Sequence, residues 1–587
     1  MFHEPNETAA GWLSSFNAAL AKGDPAGLAR LFEADGCWRN LSGISWPLVT
    51  FCGAETIARE LLVRAREAAA GDLAIDEAKL APRANTVAGR TVVEFAVRFE
   101  SRQGPGEGIA RLVAGDAPRA WTLSTGLDMD RRLRRAEDAA PQSHQRDFTE
   151  VDWPRARRRA AQFEDREPDV LVVGGGHAGI TVAAEVQRLG FEALVVDRER
   201  RIGDNWRLRY SGLKLHNKTP VNHMRYMPFP ATFPQYIAKD KVANWLEAYV
   251  DSLDIAFWTE TSFEGATYDD AADGWTARLR RADGTARTLQ PRHIVMATSV
   301  SGTPNIPRIP TIEEFDGPVL HSSAFAAGRD WSGRNVVVMG TGTSSHDIAQ
   351  ELHANGATVT MVQRSPTLVV NVEPAQRYDG IYWGDGPDIS VRDLLNVSVP
   401  FPVVRPIHKR ITDEVRALDA DLLGRLEKVG FKLDFGEDGT GWPLKFRQRG
   451  GGYYFNVGCS DLIADGGIAL VQASDVETFE SHGLRLSDGR AVPADLVVLA
   501  TGYKGPAHLL GELFGEEVAR RVGPVWGIDP VSQELANMWT RTPQPGLWFT
   551  GGSFSQARIY SRYIALQIEA IEAGALAKAQ ERALEPA

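Results

Sequence analysis

The sequence predicts an α/β chain in which two parallel-sheet units follow a smaller α+β unit. Three observations predict it. Two segments, DVLVVGGGHAGITVAAEV and NVVVMGTGTSSHDIAQEL, each read as an apolar strand, a glycine turn and a small-residue helix. They lie about 165 residues apart, each inside a βαβ pattern. The first 130 residues hold no such loop, and the chain of 587 residues is long enough for three or more cores.

In the first segment Gly174, Gly176 and Gly179 occupy the three glycine places of the Rossmann-type turn. Gly174 permits the tight turn, Gly176 lets a pyrophosphate approach the backbone, and Gly179 lets helix pack on strand. The next strand, FEALVVD, ends at Asp197, an acid suited to ribose hydroxyls. Trp206 and Arg207 in IGDNWRLRYSG are placed to pack near a cofactor, or to be core. His177, inside the glycine loop, is expected to carry no chemistry. In the second segment Gly340 and Gly342 keep the first two places and Ser345 stands in the third, which predicts slightly looser helix packing. Its following strand ends in Gln363 and Arg364 rather than an acid. An uncharged residue beside a guanidinium fits the 2′-phosphate of NADPH; the other reading is a surface arginine. Two dinucleotides face to face is the design of a flavin enzyme, carrying FAD, reduced by a nicotinamide.

Composition bounds the class. Apolar residues make up 43% and charged residues 24%, as in ordinary globular proteins. The net charge of −11 argues against a nucleic-acid or anionic-membrane partner. No apolar run approaches the roughly 20 residues of a membrane helix, and MFHEPNETAAGW has no signal-peptide character. Cys37, Cys52 and Cys459 suggest neither a disulfide framework nor metal-ligand spacing. Together these predict a cytoplasmic protein without a metal. The N-terminal unit opens with a helix carrying Trp12, Phe16 and Leu20 at helical spacing, followed by strands such as TVVEFAVRFES. The stretch from Arg131 to Glu167 mixes basic and acidic clusters and reads as a solvated linker with a helical part.

Between the two units lies FDGPVLHSSAF, with Phe315, Gly317, His321 and Phe325. This pattern resembles the fingerprint of the flavin-containing and Baeyer–Villiger monooxygenases, the class B flavoproteins. ADLVVLATGY, with Thr501 and Gly502, resembles their interdomain segment, and PGLWFTGGSFS their closing flavin strand. LKLHNKTPVNHMRYMPFP and GGGYYFNVGCSDLIADG are similar to plant auxin-synthesis and bacterial members. The resemblance spans residues 168–580. It implies that the second unit is inserted into the first, and that one oxygen atom of O2 reaches a small substrate through a flavin C4a-(hydro)peroxide. Phe325 and Glu373 depart from the main Baeyer–Villiger pattern. The implied chemistry is therefore oxidation of a sulfide, amine or indole, with ketone-to-ester oxidation as the alternative. His216 or Asn217 would face the flavin, and His321 would orient the hinge or move protons. Arg558, Tyr560 and Arg562 would approach flavin or substrate, or else be surface helix charges.

LFEADGCWRNLSGISW followed by FCGAETI resembles the NTF2-like (SnoaL-like) cone fold, with Asp35 and Trp38 as its most prominent pocket residues. Such extensions resemble those of type II monooxygenases, which accept NADH as well as NADPH. The predicted organisation is 1–130 NTF2-like, 131–167 linker, 168–330 FAD-binding, 331–484 NAD(P)H-binding and 485–587 FAD-binding again. Trp12, Phe16, Trp38 and Trp46 suggest that the first domain supports a homodimer rather than chemistry. A disulfide reductase would need a CxxC-type pair, and an oxidase would not need the second glycine loop. A non-enzymatic scaffold carrying an interaction module is the third rival, and the intact glycines and Asp197 speak against it.

Overall fold

The computed structural model describes residues 4–113, 115, 117–139 and 151–579. The first helix, Pro5–Lys22, buries Ala9, Trp12, Leu13, Phe16 and Ala19 on one face and stops at Gly23, which adopts φ 65°. It packs with Ala54–Glu67 on a seven-stranded sheet. The order along that sheet is Leu48–Cys52, Phe32–Leu41, Arg119–Leu127, Gly104–Val113, Arg90–Ser101 and Ala74–Ile75, with Arg83–Val87 also on Arg90–Ser101. Trp12, Phe16 and Trp38 are at most 2% exposed and belong to this domain's own core. That burial removes these three from any dimer face, while Trp46, half-buried, packs beside Leu127, Met129, Leu133 and Leu566.

A second correction concerns cysteine. Cys37 and Cys52 stand opposite one another in the antiparallel register of Phe32–Leu41 and Leu48–Cys52, and they form a disulfide. Spacing in sequence did not reveal the pair because hairpin register, not spacing, brings the two thiols together. Cysteine usage consequently gives no argument for a reducing compartment. No helix among the described residues is long and apolar enough to cross a membrane.

The predicted linker begins with the helix Met129–Ala139 and continues, after residues outside the described set, with Trp153–Ala160. It is pinned at both ends. Arg132 pairs with Glu569 at 2.9 Å, and Trp258 Nε1 donates to Ala161 O at 2.7 Å.

The first glycine segment sits in a five-stranded parallel sheet ordered Ala256–Trp258, Ala193–Val196, Val170–Val173, His293–Met296, Leu547–Phe549. Val170–Val173 is buried along its whole length, and each such apolar side chain contributes about 1.5–3 kcal/mol. The last strand comes from near the C-terminus, so the second unit is inserted between two parts of the first. Its sheet, also parallel, runs Val319–His321, Leu496–Leu499, Asn335–Met339, Thr358–Gln363, Ala469–Gln472. Two of those strands lie outside the predicted bounds of 331–484. The ladder takes one strand from each flank because Val319–His321 and Asn335–Met339 both pair with Leu496–Leu499. Thr303–Pro304 pairs with Tyr503–Lys504 where the chain leaves and re-enters.

Candidate active site

Gly174 adopts φ 107°, and a Cβ on it would stand 2.6 Å from Ala297 O. A Cβ on Gly179 would stand 2.0 Å from Gly174 O, so helix and turn meet only because that side chain is missing. Gly176 precedes the helix His177–Arg188, whose first amides are left for an anion. Asp197 follows the strand Ala193–Val196. Its Oδ2 accepts from Gly175 N at 2.6 Å and its Oδ1 from Glu199 N at 2.9 Å. Trp206 Nε1 is buried with no partner in the protein, although Trp206 lines the cavity described below. A buried donor of that kind calls for an acceptor from a ligand. Glycine turn, acid and orphaned donor together fit an FAD.

The second loop repeats the arrangement. Gly340 adopts φ 120°, and a Cβ there would stand 2.4 Å from Ala500 O. Around Gly342 no heavy atom lies within 4 Å of where a Cβ would be. That leaves room for a phosphate ahead of the helix Thr343–Ala354. Ser345 is fully buried, and its Oγ donates to Ala500 O at 3.5 Å. Gln363 is also buried; its side chain accepts from Lys432 N at 2.8 Å and donates to Lys432 O at 2.9 Å. Gln363 thus holds the fold, whereas Arg364 is exposed and makes one hydrogen bond, to Ser365 Oγ at 3.4 Å. Open loop and available guanidinium fit an NADP.

A cavity of about 980 Å³ reaches both loops, touching Gly174, Gly176, Asp197 and Trp206 on one side and Thr343 and Ser344 on the other. Phe401, Trp442, Phe446, Tyr453 and Tyr560 make aromatic walls. His216 lines it too, its ring 4.6 Å from that of Phe455. Burial pulls the His216 imidazole down to about 4, so it is neutral at physiological pH. Asn217 also lines the cavity and donates from Nδ2 to Asp379 Oδ2 at 2.8 Å. Burial pushes the Asp379 carboxyl up to about 6, against the opposing effect of the Asn217 hydrogen bond. Arg447 lines the same space with no carboxylate of the described residues in ion-pair range. Its one hydrogen bond runs from Nη1 to Pro443 O at 3.2 Å, and burial pulls its pKa below the usual guanidinium value.

Other expected residues do not reach the cavity. His321 Nδ1 accepts from Ser323 N at 3.1 Å, which leaves Nε2 to donate to Gly502 O at 3.0 Å. With both nitrogens used, His321 holds the hinge. Thr501 Oγ1 donates to Asn305 O at 2.6 Å, and Asn305 N to Gly502 O at 2.9 Å, so these residues tie the two crossings together. Arg558 is corrected outright. It is 5% exposed, its Nε and Nη2 pair with the two Asp393 oxygens at 2.7 Å, and Nη1 donates to Val221 O at 2.9 Å. Every face of it is occupied by protein, so it braces the final helix and touches no substrate. Sequence reasoning missed Asp379, Arg447, His408 and Arg39, all on the cavity. The run WPLKFRQRGGGYYF, basic residues interleaved with aromatics, was the one visible signal for Arg447; the rest are isolated in sequence.

Comparison with known proteins agrees with this geometry. The pyridine nucleotide-disulphide oxidoreductase family profile matches residues 171–377. The indole-3-pyruvate monooxygenase YUCCA1 of Oryza sativa subsp. japonica is 29% identical over 362 residues, covering 60% of this chain and 82% of its own. A probable indole-3-pyruvate monooxygenase of Arabidopsis thaliana, YUCCA4, is 28% identical over 343 residues, covering 57% and 76%. Among solved structures, cyclohexanone monooxygenase in its open form has a TM-score of 0.52 at 17% identity, covering 69% of this chain and 88% of its own. OTEMO in complex with FAD and NADP has a TM-score of 0.50 at 17% identity, covering 70% and 86%. The chain is an enzyme, a flavin-dependent monooxygenase working with FAD and NADP.

Proposed function

We propose that the protein inserts one oxygen atom of O2 into a small aromatic substrate, a sulfide, amine or indole, at the expense of NADPH. The observation that carries this reading is a cavity that touches both glycine loops and is walled by aromatic rings. Gly174, Gly176, Asp197 and Trp206 would hold the FAD, and Gly340, Gly342, Ser345 and Arg364 the NADPH. Held there, FAD and NADPH would supply the redox chemistry that activates O2. The residues supply position and dryness. Phe401, Trp442, Phe446 and Tyr453 exclude water. Asn217, its amide oriented by Asp379, keeps a second N–H and its Oδ1 for the reacting groups, and neutral His216 can donate or accept one hydrogen bond beside it. The N-terminal domain, with helices packed on one seven-stranded sheet, is read as NTF2-like.

Arg447 favours one substrate type within this reading. Arg447 is half-buried, stacks on Phe401 and has no carboxylate of the described residues in ion-pair range, so it is open to an anion, and an aromatic substrate bearing a carboxylate suits the cavity. The YUCCA relatives are named for such a compound, indole-3-pyruvate. A turnover assay with methyl phenyl sulfide, trimethylamine, indole, indole-3-pyruvate and cyclohexanone, following NADPH loss, peroxide and products, tests the proposal. Oxygenated product from an aromatic substrate is expected. Lactone from cyclohexanone with no product from the others would overturn it.

A further inference from the structure

Arg39 belongs to the N-terminal domain, on the strand Phe32–Leu41, yet it lines the cavity between the nucleotide loops. It is 2% exposed, and its five N–H donors all find acceptors in the other domains. Nε and Nη2 donate to the two oxygens of Glu534 at 2.7 and 2.5 Å. Nη1 donates to Val397 O at 2.5 Å and to Val399 O at 3.3 Å. The remaining Nη2 proton reaches Tyr560 Oη at 3.1 Å. Thr50, which faces Arg39 in the hairpin register, adds a hydrogen bond from Oγ1 to Glu534 Oε1 at 3.0 Å, and its N–H donates to Ser532 O at 2.9 Å. The Arg39 guanidinium also lies 5.3 Å from the centre of the Phe401 ring. Val397, Val399, Phe401 and Tyr560 are themselves cavity walls.

A buried ion pair is weak evidence of stability, because desolvation offsets most of its attraction. Docking does not require this one. Arg562 pairs with Glu107 at 3.2 Å, joining the N-terminal domain to the final helix away from the cavity, and Arg132 of the linker helix pairs with Glu569 at 2.9 Å. What Arg39 alone does is fix four cavity-lining groups from two distant segments relative to each other. We propose that the N-terminal domain forms one wall of the oxygenation chamber, and that Arg39 is a positioning residue for the substrate, acting through Tyr560 and residues 397–401. This rests on the cavity being the oxygenation site.

The test compares Arg39→Gln, Arg39→Lys and Tyr560→Phe with Arg132→Ala, an interdomain variant away from the cavity, all as FAD-replete full-length enzyme. Two quantities are read: peroxide released per NADPH with no substrate present, and the Kd of indole-3-pyruvate from the perturbation of flavin absorbance without NADPH. Arg39→Gln is expected to raise substrate-free peroxide release about fivefold and the Kd at least tenfold, with FAD content and the KM for NADPH unchanged. Arg39→Lys should regain thermal stability but not the Kd, because an ammonium cannot form the fork. Arg132→Ala should change neither quantity. Folded Arg39→Gln with both quantities as in the unmodified enzyme would overturn the proposal and leave Arg39 a docking contact. If neither Arg39 variant folds, Tyr560→Phe decides: a threefold rise in peroxide release supports the wall, and no change overturns it. Should the unmodified enzyme fail to reduce O2 with NADPH at all, the oxygenase reading fails, and that result is distinct from any difference between variants.

Discussion

Asp379 carries a carboxyl that burial raises from 3.8 to about 6. Its native form therefore binds a proton more tightly than its unfolded form, and stability is lost as pH rises from about 4 through about 6. Replacing it with Asn removes the ionisation while keeping an acceptor for Asn217. Asp379→Asn is expected to gain on the order of 3 kcal/mol at pH 7 and almost nothing at pH 4. Melting temperatures of both proteins at the two pH values check this; equal gains would show that the carboxyl is not protonated on burial. Arg364 offers a different kind of residue test. Its exposed guanidinium has one weak contact, so removing it leaves the fold alone. Arg364→Ala should raise the KM for NADPH about tenfold, through loss of a charge-assisted contact, with kcat and the KM for NADH little changed. Equal efficiency of the two coenzymes in the unmodified enzyme would show that Arg364 does not read the phosphate.

The hairpin Phe32–Leu41 and Leu48–Cys52 is one element on which the N-terminal domain meets the rest. Its disulfide lies two register steps from the Arg39–Thr50 pair. Closing a separation of 15 residues stabilises a domain by about 3 kcal/mol through the unfolded chain. Thiol titration in denaturant should count one free thiol, the buried Cys459, before reduction and three afterwards. Reduction should then lower the melting temperature by several degrees. Three thiols without reductant would refute the pairing. The final helix, Phe554–Glu572, is a second such element. Ser553 and Gln556 form a reciprocal capping box at its start, and Arg558 ties it to Asp393. That role explains the failure of the catalytic expectation for Arg558.

Across the whole molecule the N-terminal domain is bound to both others by buried polar contacts. Arg111, 3% exposed, donates to Ser398 Oγ at 2.9 Å and to Leu395 O at 3.2 Å. Arg225 contacts both Asp130 and Glu185. Separating the domains would also break the buried pairs Arg39–Glu534 and Arg562–Glu107, at a cost of about 3–5 kcal/mol for each. The domain should therefore melt with the flavin-binding part rather than before it. Tryptophan fluorescence, far-UV circular dichroism and FAD release are expected to give coincident transitions. An early transition without FAD release would show an independent appendage.

What could be read in the sequence was local. Glycine spacing at 174–179 and 340–345, the apolar strands around them and Asp197 each lie within one short strand–turn–helix–strand stretch, whereas the role of Gln363 depends on Lys432, 69 residues away. The insertion of one unit into the other was legible through short motifs in a fixed order. Contacts over long separations were not. Cys37 with Cys52 depended on hairpin register, and the bounds of the second sheet depended on ladders formed by strands on both flanks. Arg39 meets Glu534, Asn217 meets Asp379 and Arg558 meets Asp393 only after three domains pack. No periodicity marks such residues, because a buried charge is fixed by its partner's position, which the tertiary structure alone decides.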